Sequence, residues 1–352
     1  MPTRAAPAAT SRLAIWTGLL VLYVVWGSTY LGIRVAVETI PPFFMAGTRF
    51  LIAGAILLAW SIAREGRDFV WPTRRQWRDT TIVGALLLGG GMGMVAWGEQ
   101  TVPSGIAALL IAMMPVWVAV LGRIFFAERL PRIAVFGVAV GLAGVAILVG
   151  AGGSAGGALP VAGLAALLIS PICWSSGSLF SSHRAELPPR PLVATGGQMV
   201  AGGIVLVVAA TLTGELGRLR LDAVSQASLA AFTYLVLVGS LIAFTSYVLL
   251  LRIAPLPLIA TYAYVNPVVA VILGWLVLQE PLTPRTAVAG AVIVFAVALI
   301  ITARGRMKPP EARTEALTAS GEALPASGRG AAPAASRAVD RLPGTERSAA
   351  PD

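Results

Sequence analysis

Arg49 is the residue most able to do chemistry in this chain. It stands seven positions into an apolar run that opens at Pro42, which on a helix is roughly 10 Å from the end. A charge at that depth in an apolar environment needs a partner or water. Two roles follow: the guanidinium holds an anionic group of a bound solute, such as a carboxylate, or it pairs structurally with Glu99 or Glu38. Trp26, Thr29, Trp174, Ser178, Tyr247, Tyr262 and Asn266 all fall inside their own apolar runs. The indole and phenol rings offer broad faces to apolar or cationic solutes, and the amide and hydroxyls can orient polar groups. Each of these residues can equally serve helix packing.

Catalytic chemistry has little to draw on. The chain has one histidine, His183, and one cysteine, Cys173, so it offers no internal disulfide and no recognisable metal cluster. A nucleophile with its base is also missing, which leaves an intramembrane enzyme without its parts, and no cofactor is implied. Glu128 and Glu280 invite a proton-relay reading. Each lies at the end of an apolar run just before a turn, however, where a carboxylate more commonly caps a helix or closes a gate. With no acidic residue read as firmly inside a span, facilitated exchange or uniport fits better than a carboxylate relay.

The elements that must position these groups follow from composition. Hydrophobic residues make up 57% of the 352 residues and charged ones 12%, with a mean hydropathy of +0.82; a water-soluble domain could not hide that much apolar surface. No Asp, Glu, Lys or Arg occurs in 133–182, 223–251 or 253–279, and each window exceeds the roughly 20 residues that cross a bilayer core. Apolar runs predict spans near 13–36, 42–63, 80–98, 103–125, 132–150, 160–182, 191–213, 227–251, 255–278 and 285–303. Their continuous hydrophobicity calls for helices rather than alternating barrel strands. The predicted class is therefore an all-α integral membrane protein with ten transmembrane helices.

Arginine placement orients them. Arg64, Arg67, Arg74, Arg75 and Arg78 cluster after the second span, whereas the break at Glu99 carries no basic residue; Arg-rich loops stay cytoplasmic. Arg129 and Arg132, Arg184 and Arg190, and Arg304, Arg306 and Lys308 continue the alternation. Both termini are thus expected on the cytoplasmic side. Arg218 and Arg220 fit this poorly, in a loop placed outside. The formal net charge of +10 is explained by these loops and by anionic headgroups, not by nucleic acid. Residues 304–352, rich in Ala, Pro, Ser, Gly and Arg and without aromatics, are expected to be disordered.

The chain contains its own half twice. Pro115, Gly122 and Glu128 recur 152 positions later as Pro267, Gly274 and Glu280. Trp26, Ser28 and Leu31 match Trp174, Ser176 and Leu179 at an offset of 148, and Gly47 and Gly54 match Gly196 and Gly203 at 149. On this alignment the counterpart of Arg49 is Gln198. Five spans per copy is an odd number, so a second copy following directly must enter the membrane from the opposite side. Two inverted five-helix repeats are a transporter signature, with a midplane site that faces each side in turn. Gly90, Pro115, Gly239 and Pro267 fall at that level, either as flexing points or as close-packing contacts. A channel is disfavoured, because the spans show no polar or charged pore-lining stripe.

The motifs Trp26-Gly27, Met114-Pro115 with Glu128-Arg129-Leu130, and Asn266-Pro267 with Glu280-Pro281-Leu282 resemble those of the EamA-type transporters of the drug/metabolite transporter superfamily. Val102-Pro103-Ser104-Gly105-Ile106-Ala107-Ala108 further resembles the YedA-like subgroup. The resemblance covers about residues 13–303. It implies a cytoplasmic-membrane exporter of small metabolites, amino acids or drugs, with repeats at 13–150 and 160–303 around a Gly-rich connector, 151–159, and behind an N-terminal segment, 1–12. The substrate class stays open between amino-acid-like metabolites, favoured by Arg49, and lipophilic cations, favoured by the tryptophans. A monomer and a homodimer are both compatible with the sequence. Trp174-Ser175 departs from Trp-Gly, and the second opening helix is expected to pack less closely.

Overall fold

The computed structural model describes residues 12–128, 131–149, 160–254, 256–259 and 261–305. Expectations for the N-terminal segment, the connector and nearly all of the C-terminal tail lie outside these residues, as do Arg129 and Leu130. Among the described residues nine helices are long and apolar enough to cross a membrane: α1 (Leu13–Ala36), α2 (Pro42–Asp68), α3 (Arg74–Gly98), α4 (Ser104–Phe126), α5 (Arg132–Val149), α6 (Val161–His183), α7 (Pro191–Leu212), α8 (Gln226–Tyr247) and α10 (Pro284–Ala303). A tenth apolar helix, α9 (Tyr262–Leu278), is shorter.

Two boundaries differ from the hydropathy reading. α3 starts at Arg74, six residues before the expected 80, because the Thr73 hydroxyl accepts from the Gln76 N–H while Gln76 Oε1 accepts from the Thr73 N–H; this reciprocal cap sets the helix start. Arg74, Arg75 and Arg78 therefore belong to the first turns of α3. α9 starts at Tyr262 rather than 255, after a separate four-residue turn, Leu256–Ile259. Pro255 and Pro257 lack N–H groups and disfavour helical geometry in the residue before them. At the other end α10 continues to Gly305, slightly into the segment expected as tail.

α2 and α7 pack through glycines arranged crosswise. A Cβ at Gly47 would lie 3.1 Å from the Gly203 carbonyl, and one at Gly54 would lie 2.8 Å from the Gly196 carbonyl. The two helices are thus antiparallel and in backbone contact. Gly47 corresponds in sequence to Gly196 and Gly54 to Gly203, so each glycine meets the counterpart of the other, as a two-fold relation between the helices would require. α5 and α10 also run antiparallel, with Gly137 against Ala296 and Ile300, and Gly144 against Ile293.

The repeated Gly-x5-Glu has a local cause. α4 and α9 both end in a left-handed residue, Ala127 at φ 51° and Gln279 at φ 54°, and the next N–H returns to the glycine carbonyl at 3.1 Å in both cases. This closing turn folds each carboxylate back over its glycine. A Cβ at Gly122 would stand 2.7 Å from Glu128 Oε2, and one at Gly274 would collide with Glu280 Oε2. Glu280 then accepts from the Ser104 and Gly105 N–H groups at 2.7 and 3.0 Å, capping the first turn of α4. We expect Glu280→Ala to destabilise the protein by about 2–3 kcal/mol, the scale of charge-assisted hydrogen bonds lost with their donors left buried. The check is the thermal unfolding midpoint of purified protein in detergent, with Gln279→Ala as a neighbour that keeps the cap.

Candidate functional site

A cavity of about 110 Å³ opens among α1, α2, α3, α4, α6, α8 and α9. That is room for several waters or a small solute. Trp26, Thr29, Arg49, Trp174, Tyr262 and Asn266, all expected from sequence, line it. A second cavity of about 50 Å³ shares Tyr30, Tyr262 and Asn266 with the first and is lined also by Pro115 and Pro267. Both repeat prolines therefore sit beside the site. Pro115 stands in the first turn of a helix that restarts at Met114 after α4 breaks at Ala112 and Met113, so it opens a segment rather than kinking one. Pro267 lies inside α9.

Arg49 is buried, and its one hydrogen bond among the described residues runs from Nε to Ser240 Oγ at 2.9 Å. No ion pair among the described residues includes it, so the anticipated pairing with Glu99 or Glu38 does not form. The other two guanidinium nitrogens remain as donors at the only charged side chain of the lining. Gly239 makes space for it: a Cβ there would sit 3.3 Å from an Arg49 terminal nitrogen and 3.0 Å from the Thr29 methyl. The stretch containing Gly239, Leu235–Ile242, is wound in wide i→i+5 turns, as is Ala85–Met92 in α3. Such turns concentrate at functional positions in helices.

Trp26 also belongs to an aromatic cluster. The Trp26 ring lies 5.5, 5.4 and 4.9 Å from those of Phe244, Tyr247 and Tyr262, pairings each worth about 0.5–1.5 kcal/mol beyond burial. Tyr247 is thus placed behind Trp26 and outside the lining. The Thr29 hydroxyl donates to the Trp26 carbonyl at 2.6 Å. The amide of Asn266, turned so that its nitrogen faces two carbonyls, donates to Tyr262 and Tyr23 at 3.2 and 3.3 Å.

Other expected residues lie elsewhere. Ser178 and Gln198 do not line either cavity. The Gln198 backbone packs against Gly84, so the counterpart of Arg49 serves the α3–α7 contact and the cationic pole comes from one half alone. Gly90 packs on α6, where a Cβ would meet Cys173 Sγ at 2.9 Å. Glu128 Oε1 lies 3.2 Å from His183 Nε2, away from the cavity.

Ser175 corrects the expectation of looser packing. A Cβ at Gly27 would approach the Asn266 carbonyl to 3.2 Å, while the buried Ser175 hydroxyl donates to the Met114 carbonyl at 3.1 Å. Asn266 and Met114 are counterparts, each preceding its proline, so the serine uses the same gap for a hydrogen bond. Lining residues absent from the sequence reading include Tyr30, Met92, Ser170 and Phe244. Ser170 had a signal of sorts, a hydroxyl in an apolar run next to Pro171; it donates to the Gly91 carbonyl at 2.8 Å.

Comparison with known proteins adds relatives to this geometry. The profile of the EamA-like transporter family matches residues 13–150 and again 161–302. The chain is 40% identical over 290 residues to the uncharacterized inner membrane transporter YedA of Escherichia coli K12, covering 82% of this chain and 90% of that protein. It is 26% identical over 299 residues to a probable amino-acid metabolite efflux pump of Salmonella typhimurium, covering 79% and 91%. A solved crystal structure matches with a TM-score of 0.57 at 22% identity, over 84% of this chain and 99% of that one, a likeness of fold alone.

Proposed function

The chain belongs to the EamA-like transporter family, and from that premise we propose that it exports small carboxylate-bearing metabolites or amino acids by alternating access at the cavity beside Arg49. It is a multi-pass helical protein of the inner membrane, in keeping with its 40% identical relative, an inner membrane transporter. In this reading residues 13–150 and 160–303 are inverted repeats, each of five helices, and both termini are cytoplasmic. The crosswise α2–α7 glycines and the matching ends of α4 and α9 support the repeat.

The observation that carries the substrate class is the buried guanidinium with two nitrogens left as donors. Arginine's planar fork matches a carboxylate bidentately, and the surrounding apolar and aromatic wall suits a small organic body. The aromatic cluster around Trp26 favours a second reading, a lipophilic-cation or multidrug exporter, since rings attract cations. A guanidinium in the same cavity repels them.

Uptake into proteoliposomes separates the two. Labelled amino acids and tetraphenylphosphonium are offered in parallel to vesicles with and without the purified protein. Saturable amino-acid uptake is expected. Saturable tetraphenylphosphonium uptake that amino acids do not inhibit would replace this reading with the second.

A further inference from the structure

Glu99, one residue past the end of α3, is fully buried, and neither carboxylate oxygen has a hydrogen-bond partner among the described residues. Its burial has an identifiable cause. Gly98 lets α6 come close, since a Cβ there would stand 2.7 Å from Leu167 and 3.0 Å from the Gly163 carbonyl. Arg34 of α1 donates to the backbone carbonyls of Glu99 and, at 2.7 Å, Gln100, clamping the chain without bonding the carboxylate. Val95, one helical turn before Glu99, lines the cavity, as does Tyr30.

The charged and titratable groups that bear on Glu99 come from three elements. α1 contributes Tyr30 and Arg34, α2 contributes Arg49, and the α9–α10 turn contributes Glu280. α6 carries no charged residue near this end. Burial, followed by the Glu280 charge, pushes the Glu99 carboxyl well above the usual range, while Arg34 and Arg49 pull it down. An ionised carboxylate without hydrogen bonds is strongly disfavoured in such a place, whereas the neutral acid avoids that desolvation.

We propose that Glu99 carries a proton that crosses the membrane together with the anionic group held at Arg49. The inference rests on the reading of Arg49 as the anion site. A carboxylate bound there cancels one of the positive charges that lower the proton affinity of Glu99, so the proton is held more tightly. By linkage the anion is held more tightly when Glu99 is neutral. Each cycle takes one proton and one anion from the side to which the cavity is open and returns both on the other side, so net export follows the outward gradient of the metabolite and carries the proton out with it. Antiport would need the opposite sign of coupling.

The test combines a direct view of the proton with a driven flux. Infrared difference spectra of wild type and Glu99→Gln, an amide of the same shape as the neutral acid, are expected to show a protonated-carboxyl band at neutral pH that the variant lacks. In Arg49→Gln the band is expected to persist to higher pH. In proteoliposomes whose membrane potential is clamped at zero with potassium and valinomycin, a gradient of one pH unit, acid outside, is expected to drive labelled amino acids inward by about tenfold, the equivalent of 1.4 kcal/mol. Glu99→Gln is expected to equilibrate the label by counterflow without accumulating it. Absence of the band in wild type, full accumulation by Glu99→Gln, or uptake driven by acid inside would each overturn the proposal. Should wild type move no labelled amino acid, the substrate reading fails, and the proton site stands or falls on the band and its shift in Arg49→Gln.

Discussion

Arg49→Gln is expected to reduce saturable amino-acid uptake by about 10- to 100-fold, chiefly through a higher KM, while the protein still reaches the membrane and elutes as wild type does. The size follows from the roughly 1.5–3 kcal/mol contributed by hydrogen bonds to a charged group. Gln retains a donor toward Ser240 but loses the fork and the charge that a carboxylate would engage. Arg49→Lys should recover part of the affinity, because the charge returns without the bidentate geometry. Arg49→Leu removes the Ser240 bond as well. If Arg49→Gln transports as wild type does and only Arg49→Leu fails to fold, the guanidinium is a packing element and the anion site is not there. Initial rates across a concentration series, normalised to reconstituted protein, decide between these results.

The second large effect is structural. Gly54→Val drives a branched side chain into the α2–α7 contact, where even a Cβ would lie 2.8 Å from the Gly196 carbonyl and 2.8 Å from Met199 Cβ. Neither neighbour is the flexible tip of a side chain, so the helices must separate. Overpacking typically costs about 1–3 kcal/mol, and loss of the backbone contact should bring this to the upper end or beyond. Gly217→Ala is the control, with open space around the site and no left-handed backbone. The readout is the unfolding midpoint in detergent followed by size-exclusion chromatography: Gly54→Val falls well below wild type, and Gly217→Ala matches it. Equal midpoints for Gly54→Val and wild type would mean that the α2–α7 contact has slack and contributes little to stability.

Much of the architecture was legible because it rests on local, repeated chemistry. The spacing of Pro115, Gly122 and Glu128 and its recurrence fixed attention on two helix ends, and both close in the same way, by a left-handed turn that folds the carboxylate over the glycine. The glycine matches between α2 and α7 were visible as offsets, and their crosswise contact follows once the helices meet. Arg49, Trp26 and Asn266 were recognisable as polar or aromatic groups far inside apolar runs.

What the sequence hid depends on neighbours distant in the chain. Glu99 reads as a solvated break between two spans. Its burial comes from Gly163 and Leu167, more than sixty residues away, closing over Gly98. No acidic residue reads as firmly inside a span, and Glu99 does lie one residue past the end of α3; Asp79, by contrast, lies inside α3, fully buried, and accepts from Arg78 and from the Glu186 N–H at 2.8 Å. Gln198 aligned with Arg49 yet lies outside the cavity, because sequence alignment matches backbone positions whereas cavity lining depends on which helices flank each face. The start of α3 could have been found: Thr73 and Gln76 stand at capping-box spacing, a polar signal that a hydropathy scan passes over.

The measurement closest to the central claim asks whether one cavity is reached from both sides of the membrane. Met92 lines the site, so Met92→Cys in a Cys173→Ala background places a single thiol there. A membrane-impermeant maleimide is applied to right-side-out cells and, separately, to inverted vesicles. Alternating access predicts labelling from both sides, slowed in both by a transported amino acid. Labelling from one side only, whatever solute is added, would contradict it.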